Sequence, residues 1–376
     1  MEGSANHRFK DNPAVTENEE RIRRLKEDSG KPVIGYLCCF SPPEIISAAG
    51  ALPYRLTGIP GSDSSEADTY IEPYGCPYAR NILARAARGD YEFLDGLVIS
   101  HSCDVIQRLY GIWTYYHPLS YSYLFNVPHQ MTPWAQRFFK RELGFFRESL
   151  EKFTGQEITA AALREEIENY NRCRSLIRDL HALRRVNPPL IKGSEMLNLL
   201  LAGGAMPAGD FSSLLETALT LSRQKKPVQP AKPRILVWGS ILDNPALYLM
   251  IEKAGGSVVA DDTCIGMRLW EKNVPLPEDL YNGLLEQYFI DFQCPRTDRG
   301  PGTKRFDYLL DRIEEYNVDG VLGYIISFCD PHKFDYPDLR DLLKEKGIPM
   351  LLIDDNYSFE PAEALLTRIE AFIELL

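Results

Sequence analysis

The chain has 376 residues, 44% of them hydrophobic and 25% charged, more than one core of ordinary size, so two or more globular domains are expected. A formal net charge of −11 argues against nucleic acid or an anionic membrane as a partner. No apolar run approaches the ~18 residues of a membrane span, and the polar first thirty residues hold no signal-peptide core; a cytoplasmic protein is expected.

Residues 1–30 read as a charged helical lead-in. A first α/β domain is expected over 31–133: "KPVIGYLCCF" as a buried strand, "SPPEIISAAG" as a helix opened by Pro42 and Pro43, and "LPYRLTG" as a second strand. A third strand, Gly96 to Ser100, runs into an amphipathic helix after Asp104. Over 134–222 strand signals give way to helices, and Leu163, Ile167, Tyr170, Arg174, Ile177 and Leu180 recur at spacings of three and four, one stripe of a long helix. "SRQKKPVQPAKPR", with Pro227, Pro230 and Pro233, reads as a linker over 223–234. From 235 to 376 the strand–helix–strand rhythm resumes through "RILVWGS", "NPALYLMIEKAGG", "SVVADD", "VDGVLGYIISFCD" and "IPMLLIDD". The fold class is therefore α/β, two parallel-sheet domains with a helical segment between them.

The two α/β halves resemble each other. "VIGYLCCFSPPEIISAAGALPYRLTG" and "ILVWGSILDNPALYLMIEKAGGSVVADD" share the order strand, polar turn with proline, helix, Ala-Gly, strand. "DGLVISHSCD" and "DGVLGYIISFCD" both begin with Asp-Gly and end with Cys-Asp, which puts Cys103 and Cys329 at matching carboxyl edges of two similar domains. Facing domains would bring these two thiols to one cleft. In "GCPYAR", Pro77 suits the first turn of a helix, so Cys76 falls near the N-cap, where free N–H groups favour a thiolate or an anionic cluster. Eight cysteines with no CxxC are too few for a disulfide scaffold and lack the local pairing of a structural zinc site. Two readings of Cys76, Cys103 and Cys329 stand side by side: three inert buried thiols, or a shared metal site in which iron and sulfur suit the ligands better than zinc.

Taken in order, "GYLCCFSPPEIISAAGALPYRLTG", "CPYAR", "YEFLDGLVISHSCDVIQRLY", "ILDNPALYLMIEKAGGSVVADDTC", "VDGVLGYIISFCDP" and "GIPMLLIDDNY" resemble the benzoyl-CoA reductase and 2-hydroxyacyl-CoA dehydratase family, over nearly the whole chain. The resemblance implies two flavodoxin- or Rossmann-like domains and a [4Fe-4S] cluster held by Cys76, Cys103 and Cys329. It further implies a dimer with a homologous second subunit or with itself, an acyl-CoA substrate, and a separate ATP-hydrolysing iron–sulfur activator that delivers a low-potential electron. In the dehydratases of the family that electron makes a ketyl radical from which the hydroxyl leaves to give an enoyl-CoA; the reductases dearomatise a ring. The chain has no GxxxxGK[ST], so the ATP step falls to the activator.

Other residues are secondary candidates near the cluster or substrate. Cys39 stands where relatives often carry serine or threonine and reads as an extra ligand, a substrate contact or a small core residue. Cys294, before a proline as in relatives, is a candidate beside the cluster. His101 and Ser102 read as donors to cluster sulfurs or as turn caps, and Asp104 as a helix cap. Arg268 could pair with a substrate carboxylate or phosphate. Cys38, Cys173 and Cys264 read as packing. Two alternatives accompany the dehydratase or reductase reading: a homodimeric reductase of small molecules built on a double-cubane iron–sulfur cluster without a CoA substrate, and a non-enzymatic bilobed binding protein.

Overall fold

A computed structural model of the chain describes residues 13–225, 232–292, 294–297 and 304–376. The expected linker prolines Pro227 and Pro230, and the first part of the lead-in, lie outside the described residues. Two four-stranded sheets, both wholly parallel, organise the molecule. The first contains β1 (Val33–Leu37), β2 (Leu52–Arg55), β3 (Gly96–Ser100) and β4 (Tyr121–Phe125) in the spatial order β2-β1-β3-β4. The second contains β5 (Arg234–Gly239), β6 (Ser257–Asp262), β7 (Gly320–Ile326) and β8 (Met350–Asp355) in the order β6-β5-β7-β8. The two orders are the same, so the repeat seen in the sequence is a repeat of topology. Strands β1, β3 and β7 are buried along their whole length, as apolar runs in helix-covered parallel sheets must be.

The helices are α1 (Pro13–Ser29), α2 (Pro43–Ala48), α3 (Pro77–Ala87), α4 (Asp104–Tyr116), α5 (Pro133–Thr154), α6 (Ala160–Ala182), α7 (Gly193–Gly203) and α8 (Ala208–Gln224), followed by α9 (Ala246–Lys253), α10 (Leu280–Leu285), α11 (Lys304–Glu315), α12 (Asp330–Glu345) and α13 (Ala362–Glu374). Sequence explains where several of them begin. Thr132 and Thr159 cap α5 and α6 by accepting from the N–H groups of Ala135 and Ala162 at 3.2 and 3.1 Å, and prolines occupy the first turns of α2, α3, α5 and α12. The stripe on α6 is buried in full, Arg174 included; Tyr170, Ile177 and Leu180 pack with Cys173 against Phe211 and Leu215 of α8, while Leu163 and Ile167 share a core with Ile45 and Phe146.

One continuous apolar cluster joins the two sheets. Leu56 and Tyr78 from the first half pack in the same core as Leu242, Tyr357 and Phe359 from the second. The domains are thus fused face to face along part of their contact.

Candidate functional site

In each sheet the chain winds one way from β1 (or β5) and the other way from β3 (or β7), so a crevice opens beyond the carboxyl ends of those two strands. The two crevices face each other and form one cavity of about 120 Å³. Its wall includes Cys38 and Cys39 after β1, Ser102 and Cys103 after β3, Ser240 after β5, and Phe328 and Cys329 after β7. Cys76, Cys264 and Cys294 complete it, so seven of the eight cysteines line a single cavity. The eighth, Cys173, lies in the helical core and donates to the Ala208 carbonyl at 3.2 Å.

Local structure aims three of these thiols. Cys76 is the N-cap of α3, Cys103 of α4 and Cys329 of α12. A helix N-terminus carries partial positive charge and unsatisfied N–H groups, and here three such ends meet at one cavity. Burial nevertheless pushes all three thiols up, Cys103 and Cys329 to about 12. Amides of the first helical turns oppose the burial: Ala79 and Tyr78 for Cys76, Ile106 and Val105 for Cys103, His332 for Cys329. Cys76 in turn raises both Cys103 and Cys329, so the three sulfurs lie within electrostatic reach of one another. Cys103 being the N-cap, Asp104 occupies the first helical position and is not the cap itself.

The first strand ends sooner than its sequence suggests. β1 stops at Leu37, and Cys38 turns through φ +78°, which carries its side chain out of the strand and into the cavity wall. Its sulfur lies 3.6 Å from that of Cys39. The Cys39 thiol lowers the Cys38 pKa by hydrogen bonding, with Ser102 helping, while burial and the neighbouring Cys294 raise Cys39. Cys264 also lines the cavity. On the opposite side Gly239 ends β5 with φ +147°; a Cβ there would lie 1.8 Å from the Tyr324 carbonyl oxygen. Only glycine permits that approach, which brings Ser240 to the wall.

Of the secondary candidates, Cys39, Ser102 and Cys294 line the cavity, whereas His101 and Arg268 do not. His101 faces His129, with ring centroids 6.1 Å apart. Arg268 is buried; its guanidinium pairs with Asp262 at 2.7 Å and donates to the Asp262 carbonyl at 2.7 Å. Asp262 itself is pushed up to about 6 by burial.

Three wall residues escape a reading by sequence. His332 sets Nδ1 3.4 Å from the Cys329 sulfur and its ring against Trp238; its position three residues into the helix opened by Cys329 was the available signal. Arg55 reaches the Cys264 carbonyl at 3.3 Å. Arg296 is buried and donates to the carbonyls of Ser102, Pro128 and Val127. It has no carboxylate partner among the described residues, and it lines the same cavity as the thiols.

Among the described residues no three His, Cys, Asp or Glu side chains are close enough to hold a single metal ion. A multi-iron cluster asks for something different: soft thiolates, each on its own iron, in a shell that tolerates negative charge. Seven thiols, three helix N-termini and the uncompensated Arg296 cation fit that requirement.

Fold and site together define a class: a pair of fused parallel-sheet domains with a thiol-lined cleft at their facing switch points. The chain belongs to the family described as 2-hydroxyglutaryl-CoA dehydratase, D-component, whose model matches residues 38–376. It is 28% identical over 374 residues to the (R)-phenyllactyl-CoA dehydratase beta subunit of Clostridium sporogenes, covering 98% of each chain. A benzoyl-CoA reductase subunit of Thauera aromatica is 29% identical over 343 residues, covering 88% of this chain and 87% of its own. The lactoyl-CoA dehydratase subunit beta of Anaerotignum propionicum is 26% identical over 356 residues, covering 93% of each. These relatives are dehydratases and a reductase, and each is named as a subunit. No helix among the described residues is long and apolar enough to cross a membrane.

Proposed function

We propose that the chain is the iron–sulfur catalytic subunit of an ATP-activated radical 2-hydroxyacyl-CoA dehydratase or aromatic acyl-CoA reductase, working in the cytoplasm. One observation carries this reading: Cys76, Cys103 and Cys329, far apart in sequence, cap three helices whose N-termini meet at one interdomain cavity. Bound there, a [4Fe-4S] cluster would supply one-electron transfer and, with three protein ligands, a Lewis-acidic open iron. The chain's own part is to hold and shield. Cys76, Cys103 and Cys329 are the proposed ligands, the amides behind them and Arg296 offset negative charge, and Ile106, Ile241 and Ile326 keep the wall apolar. An acyl-CoA is the proposed substrate and a homologous subunit, or a second copy, the proposed dimer partner, in line with relatives that are named subunits of acyl-CoA enzymes. With no P-loop motif in the chain, ATP hydrolysis falls to an iron–sulfur activator protein.

A second reading has its own support. Cys38, Cys39, Cys264 and Cys294 line the same cavity, which is more thiol than one cubane needs and favours a double-cubane cluster in a homodimeric reductase of small molecules. Anaerobic purification with iron and sulfide analysis and electron paramagnetic resonance separates the two. About four irons per chain is the expectation of the first reading and about eight of the second. A chain that stays colourless and iron-free after anaerobic reconstitution would sink both.

A further inference from the structure

Residues Cys294 to Thr297 belong to no helix or strand, yet Cys294, Arg296 and Thr297 are all buried. A buried irregular segment must find partners for its polar groups, and this one finds them on both sides of the cleft. Toward the first domain, Arg296 donates from Nε to the Ser102 carbonyl at 2.9 Å, from Nη1 to the Pro128 carbonyl at 2.5 Å, and from Nη2 to the Val127 carbonyl. Ser102 immediately precedes Cys103. Toward the second domain, the Thr297 carbonyl accepts from Arg305 Nη1 at 3.2 Å. The same guanidinium grips Asp335 in a two-point pair, Nε to Oδ2 at 2.5 Å and Nη2 to Oδ1 at 2.8 Å. Asp335 lies on α12, the helix that Cys329 caps.

We propose that Arg296 and Arg305 are positioning residues that tie the Cys103 turn to the Cys329 helix through the Cys294–Thr297 strap, and that the Arg296 cation serves the anionic occupant of the cavity. The planar fork of arginine matches this task, since three donors in fixed geometry hold three carbonyls of two different loops, which a lysine ammonium on a flexible stem cannot do. The charge matters separately. A buried cation with no carboxylate is costly unless a negative charge answers it: burial holds the Arg296 pKa below the ordinary arginine range, and Cys294, Cys38, Cys39 and Cys103, which line the same cavity, are the groups that oppose this. The second half of the proposal rests on the iron–sulfur reading; the mechanical half does not.

The two halves have separate tests on the full-length chain. In the reduced, metal-free chain, iodoacetamide labelling read by mass spectrometry reports each cysteine. Arg296→Lys keeps the charge and loses the fork, and is expected to speed labelling of Cys103 and Cys294 about tenfold or more relative to Cys173. Arg305→Lys is expected to speed Cys294 and Cys329 and leave Cys76 at the wild-type rate. Rates within about twofold of wild type in both variants, with native circular dichroism, overturn the tie; should one variant fail to fold, the other decides. In the anaerobically reconstituted chain, Arg296→Gln is expected to lower the cluster midpoint potential while Arg296→Lys stays near wild type. A midpoint in Arg296→Gln equal to wild type overturns the electrostatic role. A chain that takes up no iron removes the cluster reading and with it that role, while the labelling still decides the tie.

Discussion

The carboxylate of Asp243 accepts the backbone N–H of Gly58 at 2.7 Å, a bond from the loop after β5 to the loop after β2 that stitches one parallel-sheet domain to the other. The Tyr357 hydroxyl donates to the same carboxylate at 2.7 and 2.8 Å. Contact here leaves no room for a side chain on Gly58: a Cβ would lie 2.4 Å from Tyr357 Oη and 2.8 Å from Asn81 Oδ1. Both atoms are held, one by Asp243 and the other by the Ile59 amide, so neither can swing away freely. Gly58→Ala is expected to destabilise the chain by about 1–3 kcal/mol, the usual cost of overpacking, measured by chemical denaturation.

The same carboxylate makes stability depend on pH. Burial raises Asp243 to about 6 from an ordinary 3.8, against the opposing bonds from Tyr357 and Gly58. A carboxyl group with a raised folded-state pKa binds a proton more readily folded than unfolded. Its contribution is therefore fully present below about 4 and is lost as pH rises through about 6. At roughly 1.4 kcal/mol per pH unit the span is about 3 kcal/mol at most. Denaturation midpoints from pH 4.5 to 7.5 should fall more steeply for the wild type than for Asp243→Asn; parallel profiles would mean that Asp243 does not titrate in this range.

A buried ionic junction fixes the helical segment to both halves. Glu44 at the start of α2 accepts from Arg174 Nη2 of α6 at 2.5 Å and from the Tyr288 hydroxyl at 2.8 Å, while Arg174 also reaches Tyr288 at 3.0 Å. Glu44 is fully buried. Removing the cation alone strands a charge in the interior, so Arg174→Met is expected to cost about 3–5 kcal/mol. Pairing it with Glu44→Gln should recover much of that loss, because the desolvated charge goes with its partner. Equal destabilisation in the single and double variants would contradict this account.

Iron content ranks the cysteines. Alanine at Cys76, Cys103 or Cys329 should each abolish most iron binding after anaerobic reconstitution, whereas Cys173→Ala should bind as the wild type does. The second reading adds a demand: Cys264→Ala or Cys294→Ala would then roughly halve the iron and sulfide, since two cubanes draw on more than three thiolates. Full iron in those two variants leaves a single cubane. Equal loss across all cysteine variants, Cys173 included, would refute the ligand assignment.

The parts of this protein legible in its sequence are those that short stretches of chain decide. Apolar runs bounded by turn residues marked the strands, the three-and-four spacing marked α6, and Pro77 set Cys76 at a helix start, because strand burial, amphipathic period and capping all act within one or two turns. The Cys-Asp ends of two similar segments likewise marked Cys103 and Cys329 as equivalent edges, and the matching sheet orders make them so. Tertiary structure decided the rest. Cys38 leaves its strand through a left-handed turn and faces the cavity, and Arg268 is withdrawn from it by Asp262. Arg296 finds the Ser102 carbonyl across 194 residues of chain, and no local pattern encodes a bond of that reach. Which seven thiols share one wall depends on how two complete sheets pack, since the cavity exists only where their facing edges fail to bury each other.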